Sequence, residues 1–264
     1  VVPVLSDNYA YLLIDEESKT ALAVDPAEAH LVIAKAKEVG VTIAGVLTTH
    51  HHSDHAGGNA VMARELGAIK VYGGAADQVQ ACTDDLVHGS EIALGSIRIQ
   101  ALHTPGHTAG SMSYYATDVG QEAQPGAVFT GDTLFVGGCG RIFECTPEDM
   151  YNSLVHVLGK LPDETQVYVG HEYTVKNLEF AAEVESGNQT LRKMLEQSRA
   201  RTLERKYTVP STMKNEWLIN PFMRSGDQAM SSICPGCSPT QVFAELRKQK
   251  NAGRADLDQL KRLA

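Results

Sequence analysis

The sequence predicts an α/β domain over residues 1–173, followed by a smaller α-helical domain over residues 174–264. Up to residue 172, short strand-like segments alternate with segments of helical period, the pattern of an α/β fold. Beyond residue 174, strand signals fade and helical period dominates. The charge changes at the same place: residues 1–172 hold 8 Lys/Arg and 22 Asp/Glu, a net −14, whereas the rest is net +5 and lacks histidine. Such asymmetry favours two domains with different roles.

Turn residues and hydrophobic period delimit the elements. Ser6-Asp7-Asn8 separates the first two strands, and Asp25-Pro26 ends the third. Gly40 is suited to cap the first helix, Gly95-Ser96 to form a hairpin turn, and Pro147 to begin a helix. Strands are predicted at residues 1–5, 9–14, 20–24, 43–48, 69–72, 92–94, 97–102, 111–116, 127–130 and 165–169. Helices are predicted at residues 27–39, 60–66, 147–158, 175–184, 190–206, 240–250 and 257–263.

Four histidines and an aspartate stand within residues 49–55, directly after a predicted strand. In an extended loop His50 and His52 point the same way, because side chains alternate, so the two can share one metal ion. Asp54 and His55 follow past the turn and can serve a neighbouring ion. Imidazole and carboxylate ligands suit zinc, iron or manganese rather than calcium. A surface cluster or an expression tag is the alternative, but this run is internal and interrupted.

Three more ligand-type residues follow other predicted strands. His107 comes after a Pro-Gly turn, Asp132 follows a glycine at a strand end, and His171 follows the last strand. Because α/β sheets carry their chemistry at the carboxyl ends of strands, we expect these residues to meet the 49–55 loop. A lone Gly-Asp or Gly-His is more often a turn than a ligand. Seven such residues on four loops, however, predict a metal site.

The bulk composition is that of a globular protein. No apolar run approaches the ~20 residues of a membrane span, and no signal peptide is visible. The basic excess after residue 173 is too weak to predict a nucleic-acid interface, which needs a concentrated patch. An anionic small molecule is the better match for it. We therefore expect neither a membrane nor a nucleic acid as partner.

The five cysteines are an odd and sparse set, which argues against a disulfide framework. They favour a reducing compartment, either the cytoplasm or the mitochondrial matrix. Cys234 and Cys237 form a C-x-x-C pair. With no second pair it is a weak zinc signal, and no thioredoxin-like pattern surrounds it. We interpret the pair as structural or incidental.

Four motifs resemble those of the metallo-β-lactamase superfamily: T-H-H-H-S-D-H at 49–55, P-G-H-T at 105–108, G-D-T at 131–133 and G-H-E-Y-T at 170–174. Within that superfamily the chain is similar to the glyoxalase II family over nearly its whole length. The tyrosine after G-H-E and the basic run at 247–250 are the more specific part of the likeness, which also includes the segment 220–224. The resemblance implies an αββα sandwich followed by a helical domain.

The resemblance also implies two divalent metal ions, with zinc favoured and iron or manganese compatible. The implied ligands are His50, His52 and His107 for one ion, Asp54, His55 and His171 for the other, and Asp132 as the bridge. His51 would face away and take a packing or supporting role. The attacking hydroxide would bridge the two ions. Asp132, which would contact both ions, and Asp54, which could orient the hydroxide, are therefore the catalytic candidates.

The implied reaction is hydrolysis of S-D-lactoylglutathione to glutathione and D-lactate, the second step of methylglyoxal detoxification, by a monomer. Arg141, Tyr173, Arg247 and Lys250 match the family's glutathione contacts. Arginine and lysine suit the carboxylates of glutathione, with which they form charge-assisted hydrogen bonds. Phe143 stands where a tyrosine is common, so one contact is in question and a trypanothione thioester is left open as a substrate.

Other functions fit parts of the pattern. A glutathione persulfide dioxygenase would need one iron, two histidines and a carboxylate, and the complete second ligand set disfavours it. A flavodiiron-type oxidoreductase would carry a carboxylate in place of His52. A non-catalytic metal-binding scaffold is disfavoured because every ligand is intact. The −14 charge of the first domain disfavours a nucleic-acid-processing enzyme, since it repels phosphate.

Overall fold

Two six-stranded sheets organise the structure, a computed structural model that describes residues 1–121 and 124–262, with side chains described up to Gly253. The strands are β1 (Val2–Val4), β2 (Asn8–Asp15), β3 (Thr20–Val24), β4 (Thr42–Leu47), β5 (Lys70–Gly74), β6 (Asp84–Leu86), β7 (Glu91–Leu94), β8 (Ile97–His103), β9 (Met112–Asp118), β10 (Ala127–Phe129), β11 (Leu134–Phe135), β12 (Gly138–Cys139), β13 (Gln166–Tyr168) and β14 (Ser211–Thr212). The helices are α1 (Ala29–Val39), α2 (Ser53–Ala56), α3 (Asn59–Leu66), α4 (Pro147–Tyr151), α5 (Thr174–Val184), α6 (Gln189–Leu203), α7 (Met213–Ile219) and α8 (Pro239–Arg262).

The first sheet has the strand order β1-β2-β3-β4-β5-β6. Strands β3 to β6 run parallel, whereas β1 and β2 pair antiparallel. Parallel neighbours need a crossover connection, and α1 and α3 supply it on either side of β4. The carboxyl ends of β3 and β4 therefore lie side by side. This arrangement brings Asp25 next to the loop of residues 49–55.

The second sheet has the strand order β14-β13-β10-β9-β8-β7. It is antiparallel except for the pair β10 and β13, which run parallel. Asp132 follows β10 and His171 follows β13, so the parallel pairing places both residues at one edge. The connection from β8 to β9 carries His107.

The main core lies between the two sheets. Leu47 of the first sheet and Ile99, Tyr114 and Val128 of the second are fully buried there. A second core lies between the first sheet and its helices, with Val32 and Met62 among its members. Residues 150–158, which begin in α4 and continue in π-helical and 3-10 turns, add buried side chains to the main core. The layers form the αββα sandwich of the metallo-β-lactamase fold.

A helical domain follows the sandwich. Helices α5, α6 and α7 share a small apolar core of Leu178, Leu191, Leu195 and Ile219. The two-residue strand β14 nevertheless pairs with β13, so the chain beyond the expected domain boundary adds to the second sheet.

Several elements differ from the sequence-based prediction. The strands β6, β11, β12 and β14 and the helices α2 and α7 were not predicted, because two to seven residues carry too little periodicity. The predicted helices 240–250 and 257–263 form one helix, α8, interrupted at Gly253, whose φ is 75°. Residue 263 lies outside the described part of the chain.

The C-x-x-C pair is bonded: Cys234 and Cys237 form a disulfide just before α8, while Cys82, Cys139 and Cys145 are free. A disulfide was not predicted for this pair. Only the other three cysteines, which are free, therefore still favour a reducing compartment. Within the described residues, no helix combines the length and the apolar character that crossing a membrane requires.

Glu216 of α7 joins the helical domain to the hairpin β11–β12. Its carboxylate is fully buried and accepts hydrogen bonds from the Ser211 hydroxyl, the Gly137 amide at 2.9 Å and Asn220 Nδ2 at 3.0 Å. Asn220 in turn donates to the carbonyl oxygen of Gly138 at 2.9 Å. Burial raises the pKa of Glu216 from 4.5 to about 7, although these donors oppose the shift.

We expect Glu216→Gln to remove a pH dependence of stability. The pKa of Glu216 is higher in the folded state than in the unfolded state. Below pH ~4.5 the carboxyl group is protonated in both states, so burial of its charge costs no stability, whereas above pH ~7 the full cost of burying the charge applies. The unfolding free energy of the wild type should fall, relative to that of the variant, by up to about 3 kcal/mol as pH rises through this window. Urea unfolding at pH 5 and pH 8 measures this difference. Glu196→Gln on the exposed face of α6 is the control, and equal pH slopes for wild type and Glu216→Gln would contradict the assignment.

Candidate metal centre

The loop after β4 carries the densest set of candidate ligands. His50 and His55 are each 1% exposed, and α2 begins directly after His52. Asp25, at the end of β3, fixes the start of this loop by accepting hydrogen bonds at 2.7 Å from both the amide and the hydroxyl of Thr49. The loop is therefore held to the neighbouring strand before its ligands begin.

His50, His52 and His107, which we call the three-histidine group, converge on one point. His52 Nδ1 lies 3.0 Å from His50 Nε2 and 3.0 Å from His107 Nε2. His107 reaches this point from the connection between β8 and β9, in the opposite sheet. The structure thus brings together the three side chains that the family resemblance assigns to one ion.

Asp54, His55 and His171 form a second cluster, which we call the Asp–His group. His55 Nε2 lies 3.3 Å from His171 Nε2, and Asp54 Oδ2 lies 3.4 Å from His171 Nε2 and 3.7 Å from His55 Nε2. Gly170 precedes His171, and a Cβ at Gly170 would lie 2.3 Å from Asp132 Oδ1. A glycine is therefore required where this strand end approaches the centre.

Asp132 stands between the two groups. Its Oδ1 lies 3.3 Å from His55 Nε2, and its Oδ2 lies 3.3 Å from His171 Nε2 and 3.5 Å from His107 Nε2. Oδ1 is buried and has no hydrogen-bond donor among the described residues. A buried carboxylate oxygen without a donor is unfavourable unless a cation is nearby.

The spacing of these atoms fits divalent metal ions. Nitrogen and oxygen ligands lie about 2.0–2.2 Å from zinc, so tetrahedral neighbours are about 3.3 Å apart. The five separations given above run from 3.0 to 3.7 Å. Ring nitrogens that face each other at this distance, together with an unsatisfied carboxylate oxygen, are the donor set of a metal centre.

The far nitrogen is held by the protein in three of the rings, those of His55, His171 and His107. His55 Nδ1 lies 2.9 Å from Asp25 Oδ2, His171 Nδ1 lies 2.9 Å from Asp7 Oδ1, and His107 Nδ1 donates to the Arg141 carbonyl at 2.8 Å. In a neutral ring, such a bond keeps the proton on Nδ1 and leaves the Nε2 lone pair free for a metal. These roles of Asp7 and Asp25 were not predicted from the sequence. Their position in turns next to strand ends was the only signal.

The charges of the centre are set by burial and by its carboxylates. Burial lowers the pKa of His50, His52 and His107, which keeps these rings neutral and able to bind metal. Burial also opposes protonation of His171, but Asp132, Asp54 and Asp7 outweigh it and raise its pKa to about 10. Metal binding at the Asp–His group would therefore displace a proton.

A cavity of about 750 Å³ opens onto the centre. Its wall includes the five residues predicted to contact substrate: Arg141, Phe143, Tyr173, Arg247 and Lys250. Phe143 is 60% exposed, and its ring lies 5.1 Å from that of His107. Tyr173 stacks on His171 with ring centroids 4.7 Å apart. Five of the predicted metal ligands, His52, Asp54, His107, Asp132 and His171, line the same cavity as the predicted substrate contacts.

The two cations of α8 differ in their surroundings. Arg247 is 6% exposed and donates to the carbonyl oxygens of Cys139 at 2.9 Å and Gly140 at 3.4 Å. Lys250 donates to Asn177 Oδ1 at 2.6 Å and lies 5.0 Å from the centre of the Phe180 ring. Burial and, to a smaller extent, Arg247 lower the pKa of Lys250 to about 7.

Comparisons with known proteins agree with this architecture. A family model described as "Metallo-beta-lactamase superfamily" matches residues 13–171, and one described as "Hydroxyacylglutathione hydrolase C-terminus" matches residues 172–253. The cytoplasmic hydroxyacylglutathione hydrolase of Arabidopsis thaliana is 48% identical over 96% of this chain and 98% of its own length. The hydroxyacylglutathione hydrolase of Dictyostelium discoideum is 46% identical over 85% of each chain. The crystal structure of ETHE1 from Myxococcus xanthus has a TM-score of 0.68 and 26% identity over 96% of this chain and 90% of that one.

The superfamily model spans more than half of the chain, and the Arabidopsis relative matches it almost from end to end. The fold and its His/Asp clusters make this a protein that binds divalent metal. The chain belongs to the hydroxyacylglutathione hydrolases, the glyoxalase II family of the metallo-β-lactamase superfamily.

Proposed function

We propose that this chain hydrolyses S-D-lactoylglutathione to glutathione and D-lactate, the second step of methylglyoxal detoxification. One observation carries the proposal: the three-histidine group and the Asp–His group share Asp132 in the same cavity that Arg247 and Lys250 line. Hydrolysis of a thioester whose thiol carrier is anionic needs both the metal-binding groups and the cations. The two ligand groups would hold the metal ions needed for attack on the acyl group, and the cations at the other end would bind the carrier.

The proposed centre holds two divalent metal ions, with zinc favoured and iron or manganese compatible with the same ligands. The three-histidine group would hold one ion, the Asp–His group the other, and Asp132 both. Bound there, the ions would supply a hydroxide nucleophile near neutral pH and a Lewis acid for the thioester carbonyl. Asp54, which lines the cavity and whose side chain is 40% exposed, would orient the attacking hydroxide as well as bind metal.

The residues of the cavity wall bind and orient the carrier. Arg141, Arg247 and Lys250 would form charge-assisted hydrogen bonds with the carboxylates of glutathione. Tyr173 lies against His171 and would pack beside the thioester. The leaving thiolate needs little assistance, because a free thiol has a pKa of about 8.5. Phe143 offers only a ring face here, so a trypanothione thioester stays a second candidate substrate.

The other predicted functions have less support. A glutathione persulfide dioxygenase with one iron would leave the second ligand group without a role, yet both groups are complete. A non-catalytic scaffold would not need cations across the cavity from the centre. We further propose that the protein acts as a monomer in the cytoplasm or the mitochondrial matrix, compartments that keep the free thiols reduced.

The direct test is hydrolysis of S-D-lactoylglutathione, followed by loss of thioester absorbance, with metal content measured on the same sample. We expect fast hydrolysis, about two metal ions per chain and loss of activity after chelation. Two bound metals without hydrolysis would overturn the substrate assignment. Oxygen uptake with glutathione persulfide would then favour the dioxygenase, and cleavage of trypanothione thioesters alone would favour the larger substrate.

Asp132→Ala tests the proposed bridge. We expect it to lose both metal occupancy and thioester hydrolysis, because both groups lose the carboxylate that they share. Asp84→Ala, which removes a surface carboxylate paired with Lys70, is the control for loss of an aspartate. A fully active Asp132→Ala enzyme would contradict the bridging role.

Lys250 should make substrate binding depend on pH. With a pKa of about 7, its ammonium is charged at pH 6 and mostly neutral at pH 8.5, so the anionic carrier should bind more weakly as pH rises. We expect KM to rise about 10-fold over this range, the value of one charge-assisted hydrogen bond. The rise should be much smaller in Lys250→Arg, because the guanidinium keeps its charge.

The control for this prediction is Lys248→Arg, at an exposed neighbour whose side chain is 65% accessible. Its KM should depend on pH as in the wild type. If KM depended on pH equally in the wild type and in Lys250→Arg, the titration of a group other than Lys250 would be responsible for the change in KM.

A further inference from the structure

His51 stands between two predicted ligands but points away from the centre, as the family resemblance implied. Its Nδ1 lies 3.3 Å from Asp77 Oδ1, and its Nε2 lies 3.5 Å from Glu144 Oε1. Its backbone amide also donates to Asp77 Oδ2. The side chain therefore has a carboxylate on each edge of its ring.

Asp77 links His51 to the loop that carries His107. Its side chain is fully buried, and its Oδ1 accepts hydrogen bonds from the Thr108 hydroxyl at 2.6 Å and the Gly110 amide at 3.1 Å. Thr108 directly follows His107. Through one carboxylate, the loop with His50 and His52 is therefore tied to the loop with His107.

Glu144 extends the connection to a third loop. Its Oε2 accepts a hydrogen bond from the Ala109 amide at 2.8 Å while its Oε1 faces His51. The segment 141–144 also contains Arg141, whose carbonyl accepts the bond from His107 Nδ1, and Phe143, which lies against His52 and His107. The segment that supplies two predicted substrate contacts is thus joined to the same network.

The spacing of His51, Asp77 and Glu144 would also suit a cation site. Two features argue against it. The two ring nitrogens of His51 face different carboxylates, so a single ion cannot use both contacts. Both oxygens of Asp77 already accept hydrogen bonds from the protein, and its side chain is closed to solvent. The cluster is built as a cross-link and not as an open ligand set.

We propose that His51 is a positioning residue that, with Asp77 and Glu144, clamps three loops together and sets the spacing of the three-histidine group. This inference rests on the metal ligands of the proposed function. The Asp–His group depends instead on Asp7 and Asp25, which hold His171 and His55. Loss of the clamp should therefore weaken one metal site selectively.

Zinc affinity, measured by competition with a chromophoric chelator, tests the clamp. We expect His51→Ala to weaken one of the two zinc sites about 10-fold, the usual effect of losing a partner that orients ligands, and to leave the other unchanged. Thioester hydrolysis should return when zinc is added in excess. His51→Asn, which keeps an N–H donor toward Asp77, should lose less zinc affinity than His51→Ala.

A double-mutant cycle separates the clamp from general damage. Glu144→Gln keeps an acceptor for Ala109 but removes the charge that faces His51. We expect His51→Ala and Glu144→Gln together to weaken zinc binding no more than His51→Ala alone, because the pair acts as a unit. His30→Ala is the matched control: His30 is an exposed histidine 3.6 Å from Glu65 and distant in sequence from every ligand loop.

Zinc affinities of His51→Ala equal to those of the wild type would overturn the clamp while leaving the proposed function intact. A third zinc ion in the wild type that His51→Ala loses would also overturn it, in favour of a cation site. A wild-type protein that binds no zinc and cleaves no thioester would overturn the proposed function itself.

Discussion

The charge of Asp132 is the constraint on which the rest of the centre depends. The residue is 8% exposed, and burial of an uncompensated carboxylate is costly. Burial alone would raise the pKa of Asp132, but His55 and His171, each 3.3 Å away, hold it well below its usual range. These two histidines follow strands of different sheets. Stabilising one carboxylate thus requires the edges of both sheets to meet, which couples the packing of the sandwich to the electrostatics of the site.

Orientation of the ligand rings comes from outside the two groups. Asp7 and Asp25 hold rings of the Asp–His group, whereas the Arg141 carbonyl holds His107. Each partner lies on a different connection, so no single loop sets the whole geometry. Asp25 also accepts two hydrogen bonds from Thr49, at the start of the loop that carries His50 and His52, so it serves both groups, whereas Asp7 and the Arg141 carbonyl each hold a ring of one group.

The ligand set was predictable from sequence, because spacing within residues 49–55 and position at strand ends restrict where side chains can point. The structure brings all seven predicted residues together, while their role as ligands stays a prediction. The partners were harder to find: Asp7 and His171 are 164 residues apart, and an aspartate in a turn has an ordinary local explanation. The αββα layers followed from the family resemblance, whereas two-residue strands such as β11 and β14 have no local pattern to detect.

The substrate side shows why matched residue types do not imply equal roles. The family resemblance implied the same substrate-binding role for Arg247 and Lys250, yet the two side chains have different hydrogen-bond partners in the structure. Arg247 directs its guanidinium at the carbonyls of the hairpin β11–β12, so much of its hydrogen-bonding capacity serves the protein. An ammonium has three donors, and the bond to Asn177 uses one, which leaves Lys250 the capacity to bind an anion in the cavity. Arg247 therefore also supports the wall of the cavity, and both cations are proposed to bind the carrier.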